Sequence, residues 1–445
     1  MILNNFFLKL KCLNYRNQLN HLFDYKLTYM KQKKILILFM FLNISTFLKS
    51  QIDEISEPIN IKTIIFKGEN KNDQFPIIQI NENISLSFDD LNANEEDYYY
   101  KIKHFNFNWI ESELFKNEII EGFDNIRIVN YSNSFNTLQP YTHYELKIPN
   151  DNTRFLVSGN YIIEIYNSKD EIIFSRKFCI YDKKANTNVN VFRLQNMEYF
   201  KTHQSIHFSI IPKNIIFREP EKRIKVVILK NYQWNSQINN LKPQYKVNSK
   251  LEYKYDTESK FEGGNEYLYF DTKEIRSTNQ NISYVNRSEL YETYLKIDND
   301  RKYSNYTYNQ DINGNFEIRT LNGSQNSKTE ADYTWVHFSL ASEINFDKNS
   351  IYIYGKFNNY KLTEKNKMYY NPSMELYEGV LLLKQGFYNY KYISKKIDSL
   401  NKNNISGSHA ITENEYLILV YYRSIGGKFD ELISVGKTNS FNLKN

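Results

Sequence analysis

A chain of 445 residues, 41% apolar and 16% aromatic, exceeds what one hydrophobic core organises, and its 38 Tyr and 30 Phe beside only 14 Gly and 8 Pro favour pleated sheets over helices. The formal charge of +6 is concentrated at one end: residues 1–50 hold eight basic groups against Asp24 alone, which leaves 49 basic and 50 acidic residues elsewhere. A body of net charge about −1 has no electrostatic footprint for a polyphosphate, so nucleic acid is not an expected partner.

The first element in chain order is a targeting segment. "MKQKKILILFMFLNISTFLKSQ", Met30 to Gln51, has a basic start, an apolar run from Ile35 to Leu42 and onward, and the small Ser50 before a cleavage point. The run is short for a bilayer span, so a membrane anchor is the lesser alternative. Residues 1–50 are expected to be leader and signal peptide, with Met30 as the true start. Cys12 leaves with them, and the remaining Cys179 in "SRKFCIYD" reads as a small filler between sheets.

Alternating apolar segments bounded by polar turns recur from Ile61 onward, and the fold expected is all-β, with three consecutive immunoglobulin-like β-sandwich modules at 58–182, 186–325 and 329–437. "SIHFSI" puts Ile206, Phe208 and Ile210 on one face, while "RIKVVILK" is apolar on both faces around Val226 to Leu229, as a central strand requires. Asn313-Gly314 in "DINGNFEI" and Gly263-Gly264 in "FEGGNEYLYF" are read as hairpin turns.

Chemistry-bearing patterns are sparse. His203 and His207 are four apart, but along a strand that spacing separates them by roughly 13 Å, which does not suit a shared metal. His104, His143, His337 and His409 stand alone. Ser408-His409 lacks a nucleophile elbow, and "DINGNFE" lacks the glycine position and terminal Glu of a calcium loop. Adjacent Asp89-Asp90 diverge rather than facing each other across a cleft, and a solvated loop is expected there. No enzyme, metal or cofactor is expected.

"IYIYGKFNNYKL", residues 351–362, resembles the corner of glycogen-binding-type modules. That resemblance implies carbohydrate contacts from Asn358, Tyr360 as a stacking platform, and Lys391 in "GFYNYKYIS". The second platform has no counterpart, because "KKIDSLNKNNISGSHA" contains no aromatic residue.

Longer strings carry a more specific likeness. "LSFDDLNANEEDYYYKIKHFNFNW", "NSFNTLQPYTHYELKIPND", "GGNEYLYFD", "EADYTWVHFSL", "YNPSMELYEGVLLLKQGFYNYKYIS" and "YLILVYYRSIGGKFDELISV" resemble, in this order, the plug-protein family of the type IX secretion system of Bacteroidota, over roughly residues 58–437. The resemblance implies a periplasmic monomer at the inner face of the outer membrane, attached through protein. It would bind the outer-membrane translocon barrel and occlude its periplasmic opening when no substrate is present, and the contact residues do not carry over. The alternatives are a glycan-binding component of an outer-membrane uptake system and a periplasmic scaffold without a gating role.

Overall fold

Strict alternation of side chains builds the first sheet pair. In Ile84–Asp90, Ile84, Leu86 and Phe88 point inward while Ser85 and Ser87 are half-buried on the other face. The strand belongs to a computed structural model of the protein, which describes residues 52–70, 74–321, 326–342, 350–395, 400–441 and 443–444. The expected leader lies outside the described residues. Among these residues the α-helices are single turns, at Lys116–Ile119, Pro220–Arg223 and Ser327–Glu330. None is long and apolar enough to cross a membrane.

The first sandwich pairs a four-stranded sheet, ordered Ile61–Gly68, Ile84–Asp90, Thr142–Ile148 and Asn130–Asn133, with a five-stranded one. The latter runs Ile77–Gln79, Ile172–Tyr181, Gly159–Tyr166, Tyr99–Phe105 and Ile126–Arg127. Aromatic residues fill the space between them: Phe88 stacks on Tyr144 at 5.1 Å and meets Phe174 edge-on at 5.2 Å.

The second sandwich shows why "RIKVVILK" is apolar on both faces. Ile224–Lys230 sits between Ile238–Asn239 and Glu415–Tyr422, and the latter pairs onward with Glu431–Asn439. Val226 and Ile228, with Ile418 and Val420, face Ile206 and Phe208 of the opposing sheet. Val227 and Leu229, with Leu417, Leu419 and Tyr421, pack instead against Ile77 and Cys179 of the first sandwich. Each such buried aliphatic contributes about 1.5–3 kcal/mol, so the two sandwiches are welded along this seam. Cys179 therefore fills a space between modules, not between the sheets of one module. Burial pushes its thiol well above the usual range.

The third sheet has eleven strands. Its main path runs Leu268–Asp271, Gly386–Lys395, Ser350–Tyr354, Lys367–Asn371, Leu376–Lys384, Tyr333–Ala341, Tyr291–Leu295 and Ile282–Arg287. Phe270 and Ile282, from the two ends of that path, share one core with Val336, Ile353 and Tyr388, so the sheet folds over on itself. Strand partners thus cross the boundary expected between 186–325 and 329–437 in both directions. Leu268–Asp271 and Phe316–Ile318 pair with Gly386–Lys395, while Glu415–Tyr422 pairs with Ile224–Lys230. A period-two pattern marks a strand without naming its partner, and partner choice here reaches from Ile224 to Tyr422.

The expected turns change meaning accordingly. Asn313 and Gly314 do take positive φ, at 54° and 83°, but the strand that follows them pairs with Gly386–Lys395. Gly263-Gly264 is the crossover out of the second sandwich: Lys260–Glu262 pairs with His203–Pro212 before it, and Leu268–Asp271 joins the third sheet after it. A Cβ on Gly263 would lie 1.9 Å from the His409 carbonyl oxygen. Residues 53–445 form one compact unit.

Asp89 and Asp90 are also not on a solvated loop. They end a strand and are buried, 0% and 1% exposed. Asp90 accepts hydrogen bonds from Asn60, Asn92 and Tyr98. Asp89 reaches across to the third sheet, where Lys384 Nζ lies at 2.7 Å and the Tyr333 hydroxyl donates at 2.7 Å, while His143 Nδ1 lies at 2.5 Å. Burial alone would raise the Asp89 carboxyl, but the Lys384 ammonium and His143 outweigh it and hold it below the usual range.

Candidate functional site

The 351–362 segment ends its strand at Tyr354 and turns through Asn359 and Tyr360, both with φ near +54°. Its side chains are used to make the turn. Asn358 Nδ2 donates to the Ile353 carbonyl at 2.8 Å. Tyr360 lies 5.2 Å from the Tyr354 ring, and its hydroxyl donates to the Asn313 carbonyl at 3.3 Å. Residues 54–57 cover the corner: Lys361 Nζ donates to the Glu54 carbonyl and to Ser56 Oγ, and Lys365 Nζ donates to the Glu57 carbonyl. Tyr360 is half-buried in this setting, and burial pushes its phenol well above the usual range.

Lys391 does something different from its two expected partners. Its strand Gly386–Lys395 carries it into a cavity of about 450 Å³ where the second sandwich meets the third sheet, and neither Asn358 nor Tyr360 lines that cavity. Lys391 and Tyr360 both neighbour Tyr354, whose ring lies 5.8 Å from the Lys391 ammonium. Three other lysines line the same space. Lys230 closes the apolar strand Ile224–Lys230 and donates to the carbonyls of Glu262 and Gly263 at 2.5 and 2.6 Å. Lys402 donates to Asn235 Oδ1 at 2.7 Å, and Lys260 lies 3.8 Å over the Tyr199 ring.

Amide side chains hold the wall rigid. Asn235 Nδ2 donates to the Tyr354 hydroxyl, which itself donates to Gln233 Oε1 at 2.8 Å, and Gln233 Nε2 donates to the Tyr267 hydroxyl at 3.0 Å. Asn231 donates to Asn414 at 2.9 Å. The lysines thus project from a fully tied network.

Lys391 is 8% exposed and makes no hydrogen bond or ion pair among the described residues. Burial, with Lys402 and Arg301 adding repulsion, pulls its ammonium down to about 7. Burial also pulls Lys402 down to about 8, and Lys230 well below the usual range. Among the described residues Glu262 is the one carboxylate lining the cavity.

Behind this wall stands an acidic group. Glu266 accepts from the Tyr306 hydroxyl at 2.5 Å, Asp311 accepts from the Tyr267 amide at 2.6 Å, and Glu413 accepts from Asn313 Nδ2 at 2.9 Å. Burial pushes both Glu266 and Glu413 up to about 7.

Sequence reasoning reached Lys391 through a resemblance and missed Lys230 and Lys402. They arrive from separate strands and loops with no shared spacing. The one available signal was a lysine closing a strand that is apolar on both faces. His203 and His207 lie on one strand, as the period-two reading required, with His203 against Thr202 and His207 packed 4.4 Å from the Phe192 ring.

Fold and site together define a multi-sandwich β protein with a lysine-lined cavity between two of its modules. The comparisons with known proteins narrow that class. A family model described as "Type 9 secretion system plug protein 1st domain" matches residues 61–182, the span of the first sandwich. A hypothetical protein from Parabacteroides merdae ATCC 43184, of known crystal structure, is 31% identical with a TM-score of 0.83, covering 88% of this chain and 100% of that one. No curated protein matches. The chain belongs to the type 9 secretion system plug-protein family. Membership associates it with protein secretion at the cell envelope as a structural component rather than a member of an enzyme family.

Proposed function

We propose that this chain is the periplasmic plug subunit of the type 9 secretion system, binding as one copy beneath the outer-membrane translocon barrel and closing its periplasmic opening when no substrate occupies the pore. The family match on the first sandwich carries the reading. That sandwich also offers an apolar surface for a protein dock. Ile120–Gly122 and Thr153–Phe155 form a two-stranded ribbon, and Phe115, Phe123 and Leu156 flank it with 71%, 72% and 43% of their surface in solvent. Large exposed apolar groups clustered on a rigid element mark interaction surfaces. A body of net charge about −1 offers little long-range steering, so binding survives moderate salt.

The deciding experiment combines permeability and co-purification. Deleting the chain is expected to make the outer membrane leakier to large hydrophilic compounds while the barrel still assembles. The double variant Phe115→Asp, Phe123→Asp is expected to fold and to lose the barrel on co-purification. Unchanged permeability in the deletion strain, together with no barrel recovered with the wild-type chain, would sink the reading.

A further inference from the structure

We propose that the cavity between the second sandwich and the third sheet is a binding site for a small oxyanion-bearing molecule, of the phosphate or carboxylate class, held by Lys230, Lys391 and Lys402. Four lysines and one carboxylate line a space of about 450 Å³, which is within the size range of small-molecule sites. Lys391 is the decisive group. It is more than nine-tenths buried, it projects into the cavity, and no hydrogen-bond acceptor in the described protein takes its protons. An ammonium on a side chain this deeply set, opening on the cavity and met by the Tyr267 and Tyr354 rings but by no carboxylate, is costly to keep charged, and such groups are found paired or bound to a counter-ion.

The neighbouring charges do not supply that counter-ion. Lys391 faces Lys402, Arg301 and Lys230 as cations and Glu262 and Asp311 as anions. Glu262 is engaged by Asn403 Nδ2, and Asp311 accepts from the Tyr267 and Asn313 amides. The lysines come from a strand of the second sandwich, a strand of the third sheet and the segment after it, so the ligand would bridge two modules. A phosphate monoester suits the set better than a single carboxylate, because its two charges can be shared between Lys391 and Lys402. Pairing with an anion returns Lys391 to the charged form, so binding at pH 8 takes up protons.

The test uses the purified chain in calorimetric and thermal titrations with inorganic phosphate, glucose 6-phosphate and citrate, against chloride at equal ionic strength. Saturable binding with a rise in Tm is expected for phosphate-bearing probes, with proton uptake seen as a buffer-dependent heat at pH 8. Glucose 6-phosphate tighter than inorganic phosphate assigns an organic phosphate; citrate tightest assigns a carboxylate; both are forms of the proposal. Lys391→Met and, as a second variant, Lys402→Gln should each weaken binding at least tenfold, while the exposed Lys246→Met leaves it unchanged. No binding by the folded wild type, or equal binding by wild type and both cavity variants, would overturn the site. Because the readout involves no barrel, failure here is separable from failure of the plug reading.

Discussion

Where the third sheet meets the first sandwich, Lys384 is 1% exposed and finds Asp89 at 2.7 Å, with His143 and Tyr333 completing the carboxylate's partners. Where the same sheet meets the second sandwich, Lys391 is 8% exposed and finds only aromatic rings, 5.2 Å from Tyr267 and 5.8 Å from Tyr354. One junction neutralises its buried cation within the chain and is finished on folding. The other leaves cations in an open cavity and is finished only by something from outside. The contrast separates a lysine kept for architecture from lysines available for binding.

The sharpest way to break the contrast is at the finished junction. Asp89→Asn leaves Lys384 buried without a counter-charge, and a loss of about 3–5 kcal/mol is expected, read by urea unfolding. Adding Lys384→Met should recover much of it, since an apolar side chain of similar length removes the stranded charge. Recovery of nothing would mean that the pair matters through packing rather than charge.

At the open junction the expected sign is reversed. Lys391→Met should raise stability, by on the order of 1 kcal/mol or more in anion-free buffer, because it removes a desolvated ammonium. The pH dependence sharpens this. Lys391 has its pKa lowered to about 7, so its destabilisation is complete below pH 7 and is relieved as pH rises toward the ordinary lysine value. Glu266 and Glu413, raised to about 7, act oppositely: their contribution is intact below the ordinary carboxylate range and is lost as pH climbs to 7. The junction's contribution therefore has a minimum near pH 7. Denaturant melts from pH 5 to 9.5 should show Glu266→Gln flattening the acid side of that minimum and Lys391→Met flattening the alkaline side. The same side flattened by both variants would contradict the assignment.

The smallest effect is expected at the 351–362 corner. Tyr360→Phe deletes one hydroxyl bond of 3.3 Å and should cost less than about 1 kcal/mol by thermal melt. Glucan titrations of wild type and of Tyr360→Ala, which removes the ring, should both be silent if the corner serves only as a bend.

The sequence disclosed strands better than partners. Alternation in "SIHFSI" and the double-sided "RIKVVILK" were legible because each pattern reports local burial, and both strands appear where the patterns place them. The crossing of Glu415–Tyr422 into the second sandwich was not legible, since its apolar run would suit any buried sheet. Asp89-Asp90 misled for a related reason. Two adjacent acids read as solvent-facing until a lysine 295 residues away is known to arrive beside one of them. The lysine cavity is assembled wholly from such long-range meetings, so the sequence reading reached Lys391 alone, through its resemblance in "YNYKY", and passed over Lys230 at the end of its apolar strand.

The return of Glu415–Tyr422 and Glu431–Asn439 to Ile224–Lys230 also sets an order of events during synthesis. Ile224–Lys230 emerges some 190 residues before the strand that covers it, and until then its apolar edge has only the two-residue Ile238–Asn239 beside it. The first sandwich has all its strands by residue 181 and can pair them at once, leaving only its Asp89 and its face toward Leu417, Leu419 and Tyr421 to be completed later. The second must wait for nearly the whole chain, with a closure entropy and a slow non-local step to match. A nascent chain stalled before Glu415 would therefore present one fully paired sandwich with an uncovered face and one sticky, half-built sheet, the kind of intermediate that a holding chaperone recognises.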